Sequence, residues 1–195
     1  HPIAEVSLFF NNHLFRGNRC VKAHADGFNA FASPNYPALL EVGIDIKPIA
    51  APTTNPTSAP LKVAAIDSQP IGVMTLYPGI CSSVIDNFIH QPVKALILQS
   101  FGVGNAPQNS EFLNAIREAD KRGLIVVNCS QCFQGKVNMQ GYATGNSLAQ
   151  AGVVSGGDMT IEAVLANRKP WAPIEPGGAR RVAMRLGEFF GFEIS

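Results

Sequence analysis

Apolar positions fall into two regimes along this chain. Residues Ile3 to Phe10 are nearly continuously apolar, and Val6, Leu8, Phe9 and Phe10 predict a strand in a sheet covered on both faces. A turn at Arg16-Gly17-Asn18 follows. Extended or turn pieces then lead through Phe28 to Phe31, Pro34 and Pro37 to a strand expected at Ile44 to Ile49. Residues 50–62, AAPTTNPTSAPLK, carry three prolines among Thr, Ser and Asn and read as a linker. The domains expected are therefore 1–49, a linker at 50–62, 63–166, and a tail at 167–195.

Beyond the linker, short apolar runs alternate with helical spacing. Strands are expected at Ile71 to Leu76, Val93 to Leu98, Leu124 to Val127 and Val153-Val154. Helices are expected at Ser82 to Ile89, Asn109 to Lys121, Gly145 to Ala151, and from Asp158 as N-cap to Ala166. Arg122-Gly123 supplies a basic last turn and a glycine stop. Such alternation predicts α/β structure, a three-layer α/β/α domain around a mainly parallel sheet, preceded by the end of another α/β domain. In the tail, Val182, Leu186 and Phe189 would line one face of a helix, with Arg180, Arg181 and Arg185 elsewhere on it.

Composition narrows the function. The 195 residues are 46% apolar and 15% charged with net charge +1, which argues against disorder and against a nucleic-acid surface. A chain this long buries roughly 70% of its unfolded surface, enough for a core. No window reaches a membrane-spanning length, and four cysteines fit a reducing compartment better than a disulfide framework, so a soluble intracellular protein is expected. The His1-Pro2 start suggests a processed chain or a piece of a longer one.

The sharpest local feature is SFGVGNAPQN, residues 100–109, directly after a strand, where open α/β sheets place ligand loops. Pro107 occupies the sixth position of the glycine pattern, which excludes a dinucleotide fingerprint, and a tight connection explains the glycines equally well. Cys129 and Cys132 form a lone CxxC with no second pair, and His1, His13, His24 and His90 are scattered, so no metal site is expected. His24 and Asp26 could form an acid–base pair or a solvated one. Asp158 and Glu162 share a helix face, with capping the better account of Asp158. Lys22 reads as a surface lysine, unless desolvation beside a carboxylate turns it to proton transfer. Neither GxSxG nor a Walker A lysine motif is present.

From the first strand to about Leu165, the segments EVSLFFNNHLFRGNR, VKAHADGFNAFASPN, PIGVMTLYPGI, QPVKALIL, FGVGNAPQN, RGLIVVNCSQC, GKVNMQGYATGN and GGDMTIEA closely resemble the bacterial cytoplasmic type I L-asparaginases. The resemblance implies hydrolysis of L-asparagine to L-aspartate and ammonia by a threonine nucleophile, without a cofactor, in a cytoplasmic homotetramer built as a dimer of intimate dimers. It places the family lysine at Lys22, which would pair with an aspartate and help deprotonate threonine. It implies a substrate or neighbouring-subunit effector site at Val21, Gln99, Asn105, Cys132 and Gly157. The enterobacterial type it resembles has threonine, arginine and alanine where this chain has Val21, Gln99 and Gly157, so allosteric activation is expected to be weak or absent. The threonine-bearing first strand and the Thr-Asp-Thr segment have no counterpart here. The chain is therefore expected to lack most of the N-terminal catalytic domain and to be inactive alone. The alternatives are an amino-acid or amide binding module without catalysis, or part of a related amidotransferase subunit or lysophospholipase-type asparaginase. No nucleic-acid or membrane partner is implied.

Overall fold

The computed structural model describes residues 3–51, 68, 70–90, 92–141 and 143–166. Two compact units divide the chain, residues 1–67 and 68–195. Most of the linker expected at 50–62, and the whole tail with its helix, lie outside the described residues.

The first unit is built of short antiparallel strands: β1 (Ser7–Phe10), β2 (His13–Arg16), β3 (Val21–Lys22), β4 (Phe31–Ala32), β5 (Leu40–Val42) and β6 (Ile46–Pro48). One sheet has the order β1-β2-β5-β6, and β3 pairs with β4 separately. Asn11 and Asn12 have φ of 47° and 60°, the left-handed pair that a two-residue hairpin loop needs, and asparagine tolerates it best after glycine. The strand expected from Ile3 to Phe10 is β1, which begins only at Ser7; its hairpin partner β2 was not expected, and β1 is not covered on both faces. Val6 is 87% and Phe9 55% exposed. Phe10 packs edge-on against Phe31, with ring centroids 5.2 Å apart. The strand expected at Ile44 to Ile49 begins only at Ile46, because Gly43 N–H bonds Asp45 O in a turn.

The second unit carries the parallel sheet, with strands β7 (Ile71–Thr75), β8 (Ala95–Ser100), β9 (Ile125–Ser130) and β10 (Val154–Ser155) in the order β10-β9-β8-β7. Helices α1 (Ser82–His90), α2 (Ser110–Lys121) and α3 (Ala143–Gln150) connect successive strands, and α4 (Ile161–Ala166) follows the last. Strands added in one direction by right-handed crossovers place their helices on one face. Ile85, Ile89, Phe112, Ile116 and Leu148 accordingly cluster with Leu96, Leu98 and Val126. The alternate residues Ala95, Ile97 and Val127 pack with Ala163 and Val164 on the opposite side. The expected three-layer α/β/α arrangement is what the structure shows. Burial on both faces is why β8 and β9 read as unbroken apolar runs. Asp158 does not cap α4. Thr160 does, its Oγ1 accepting the Ala163 N–H at 3.2 Å, because the chain turns at Gly157-Asp158 before helical geometry begins. Among the described residues, no helix is long and apolar enough to cross a membrane.

Candidate functional site

In the first unit, Lys22 and Val21 share β3, in register with Phe31 and Ala32 of β4. Lys22 is exposed and Val21 half-buried. The Lys22 Nζ stands 5.1 Å from the centroid of the Phe31 ring. Backbone bonds from Ala23 N and His24 N to Ala30 O, at 2.7 and 3.2 Å, fix the strand's far end. Upstream, the turn Gly17–Arg19 is held from two sides. Arg16 meets Glu5 through Nε–Oε2 at 2.5 Å and Nη2–Oε1 at 3.1 Å, the two-point geometry that a guanidinium offers a carboxylate. The Tyr36 ring lies 4.3 Å below the Arg16 guanidinium and 5.5 Å from that of Arg19. Burial works against the Arg16 charge, yet Glu5 and Tyr36 together outweigh it and hold the guanidinium pKa above its ordinary value. His24 and Asp26 are both exposed and form no ion pair with each other.

In the second unit, Gln99, Asn105, Cys132 and Gly157 all lie toward the carboxyl end of the parallel sheet. Gln99 Oε1 accepts from Thr75 Oγ1 at 2.7 Å. Gln131 bridges the strand ends, donating from Nε2 to Leu76 O at 2.7 Å and Gln99 O at 2.9 Å. The loop after β8 closes on itself through reciprocal backbone bonds between Phe101 and Asn105, each 2.9 Å. Its carbonyls are then taken in turn, that of Gly102 by Ser130 Oγ at 2.5 Å, Val103 by Asn138 N at 2.8 Å, and Gly104 by Asn128 Nδ2 at 3.1 Å. The Thr144 hydroxyl donates to Asn105 Oδ1. Gly104 sits at φ 112° with Val137 and Asn128 where a side chain would begin, so both conformation and space require glycine. This is a preorganised loop, anchored at every residue from Phe101 to Asn105. Gly157, at φ 59°, passes its carbonyl to Val137 N at 2.9 Å.

The CxxC resolves into two unlike thiols. Cys129 is buried in β9 and burial pushes its thiol up to about 12, whereas Cys132 is exposed and its N–H bonds Ser130 Oγ at 3.0 Å. Among the described residues no cluster of three or more His, Cys, Asp or Glu could hold a metal ion. The structure thus gathers four of the expected positions in one unit and leaves Val21 and Lys22 on β3 of the other. Thr75, Asn128, Ser130, Gln131 and Thr144, which organise the sheet's carboxyl end, were not expected from sequence. The available signal was a polar residue closing each apolar run, as in ALILQS and IVVNCS.

Two domain models match this chain: "Asparaginase, N-terminal" over residues 1–54, and "Glutaminase/Asparaginase C-terminal domain" over 70–167. The first overturns the expectation of a fragment lacking most of the N-terminal domain, since both domains have their match here. That expectation rested on absent threonine segments, while the matched stretch is the hairpin sheet and the Lys22 strand. L-asparaginase 1 of Escherichia coli (strain K12) is 62% identical over 165 residues, 85% of this chain and 49% of that protein. The mouse 60 kDa lysophospholipase is 44% identical over 167 residues, 85% of this chain and 29% of its own length. The crystal structure of L-asparaginase I from Vibrio cholerae superposes with a TM-score of 0.85 at 53% identity, covering 95% of this chain and 56% of that one. The chain spans about half the length, or less, of these relatives.

Proposed function

Because this chain belongs to the glutaminase/asparaginase family, we propose that it serves the hydrolysis of L-asparagine to L-aspartate and ammonia, with Lys22 as its proton-transfer residue. The observation that carries the reading is the 62% identity to L-asparaginase 1, which spans most of both units. In this chemistry a threonine oxygen attacks the amide carbon and its proton leaves through a basic group. Ammonia then departs carrying a proton, and water releases aspartate from the acyl ester. A lysine paired with a carboxylate supplies the base, and fixed N–H donors stabilise the oxyanion. The first threonine in this sequence is Thr53, so the nucleophile is not among residues 1–52.

The positions Val21, Gln99, Asn105, Cys132 and Gly157 are proposed as contacts for the amino-acid substrate or for an effector, within a homotetramer of paired dimers. Four free cysteines support a reducing, cytoplasmic setting.

The test is ammonia release from L-asparagine by the purified chain, alone and mixed with the amino-terminal half of the E. coli relative. Release is expected in the mixture, and Lys22→Ala is expected to abolish it. Release by the chain alone that survives Lys22→Ala, or a mixture indifferent to Lys22→Ala, would overturn the assignment.

A further inference from the structure

An exposed lysine on a two-residue strand has little to hold its charged end in place. The four-carbon stem of a lysine is free to rotate in water, and a base that must meet one oxygen loses rate whenever its nitrogen points elsewhere. Lys22 is such a residue, exposed and without an ion pair among the described residues. Its ammonium nevertheless stands 5.1 Å from the Phe31 ring centroid, within the range where the negative face of an aromatic ring attracts a cation.

The ring is itself fixed. Phe31 faces Lys22 across the β3–β4 pair, the register that brings opposed side chains together on one face. Phe10, from the separate four-stranded sheet, meets Phe31 at an interplanar angle of 69° with centroids 5.2 Å apart. In that edge-to-face geometry one ring's positive rim meets the other's negative face, which locks both orientations. The chain entering β3 is pinned as well, by the Arg16–Glu5 pair and the Tyr36 ring beneath Arg16 and Arg19, and by Cys20 Sγ donating to Arg16 O at 3.1 Å.

We propose that Phe31, braced by Phe10, is a positioning residue that seats the Lys22 ammonium for proton transfer. The role in turnover rests on the assignment of Lys22 made above, whereas the seat itself does not. In this role Phe31 acts only through where it holds the lysine nitrogen.

The seat is read directly by nuclear magnetic resonance on the full 195-residue chain. Protons above an aromatic face are shifted upfield, so the Lys22 Cε methylene is expected upfield of the solvated lysines, with its signal assigned through Lys22→Arg. Phe31→Leu should return it to the solvated position, and Phe31→Tyr, which keeps the ring, should not. A Lys22 signal already at the solvated position in the unaltered chain would overturn the seat whether or not Phe31→Leu folds. In the ammonia-release mixture, Phe31→Leu is expected to lower kcat about two- to fivefold with KM unchanged, and Phe31→Tyr to restore it. An upfield Lys22 with unaltered kcat in Phe31→Leu would overturn the positioning role. Lys22→Ala without effect on release would instead sink the proposed function and leave the seat standing.

Discussion

Single side chains in this molecule take their character from burial more than from motif. Cys129 and Cys132 belong to one CxxC, yet one thiol is pushed up to about 12 and the other is exposed. Asp120 shows the same force on a carboxylate. It lies on α2 with its carboxyl against Gly152, where a Cβ would overlap it, and burial raises its pKa above 3.8. A raised carboxyl favours the fold in its protonated form, and that contribution is lost as pH rises through the folded value. At neutral pH the charge is therefore a small net cost, reduced by solvent around the exposed part of the group. Asp120→Asn should raise Tm slightly at pH 7, and the gain should vanish below about pH 4. Thermal unfolding at both pH values checks it, and an equal gain at both would show that charge is not the cause.

At the scale of elements, α2 shows how a local signal becomes stability. Asn109 has extended backbone angles, and its Oδ1 accepts the Phe112 N–H at 2.8 Å, taking one of the free donors at the helix start. Asn109→Ala should cost about 1 kcal/mol. Urea unfolding should show a lower midpoint at unchanged slope, and an unchanged midpoint would mean that another group satisfies that donor. This helix was legible in the sequence, from its apolar stripe at Phe112, Ile116 and Ala119 to the Arg122-Gly123 stop. So were the β8 and β9 runs, because strands buried on both faces leave an unbroken apolar signature. The first unit was legible only in part, in β1, β6 and the turn after β2. Its sheet depends on Asn11-Asn12 adopting φ above zero, and its edge strand exposes Phe9 where an apolar run suggested cover. Asp158 and Thr160 are both good caps, and only the turn at Gly157 decides between them. At the candidate site, the glycine loop stood out by position. The groups that anchor it are the Asn128 and Ser130 side chains of β9, the backbone N–H of Asn138 and the Thr144 hydroxyl of α3, and no local spacing connects these.

For the molecule as a whole, the proposed effector contacts turn on one substitution. An effector amino acid brings an α-carboxylate, and an arginine binds that group through two parallel N–H bonds. Gln99 is neutral, and its Oε1 is already engaged by Thr75 at 2.7 Å. Its remaining donors offer a single uncharged contact, roughly half as strong as a charge-assisted one. The loop bearing Asn105 is anchored at every residue, with Asn105 Oδ1 taken by Thr144. It therefore has little freedom to reorganise around a weakly held ligand. Calorimetry with L-asparagine on the unaltered chain is accordingly expected to show no saturable effector binding in the low-millimolar range or below. Gln99→Arg supplies the missing fork and should create such binding, with affinity gained about tenfold or more for about 1.5–3 kcal/mol of charged hydrogen bonding. Glycine betaine, whose amine is blocked but whose carboxylate is intact, then separates carboxylate recognition from recognition of the whole amino acid. Tight asparagine binding by the unaltered chain that Gln99→Arg leaves unchanged would place recognition elsewhere and remove Gln99 from the site.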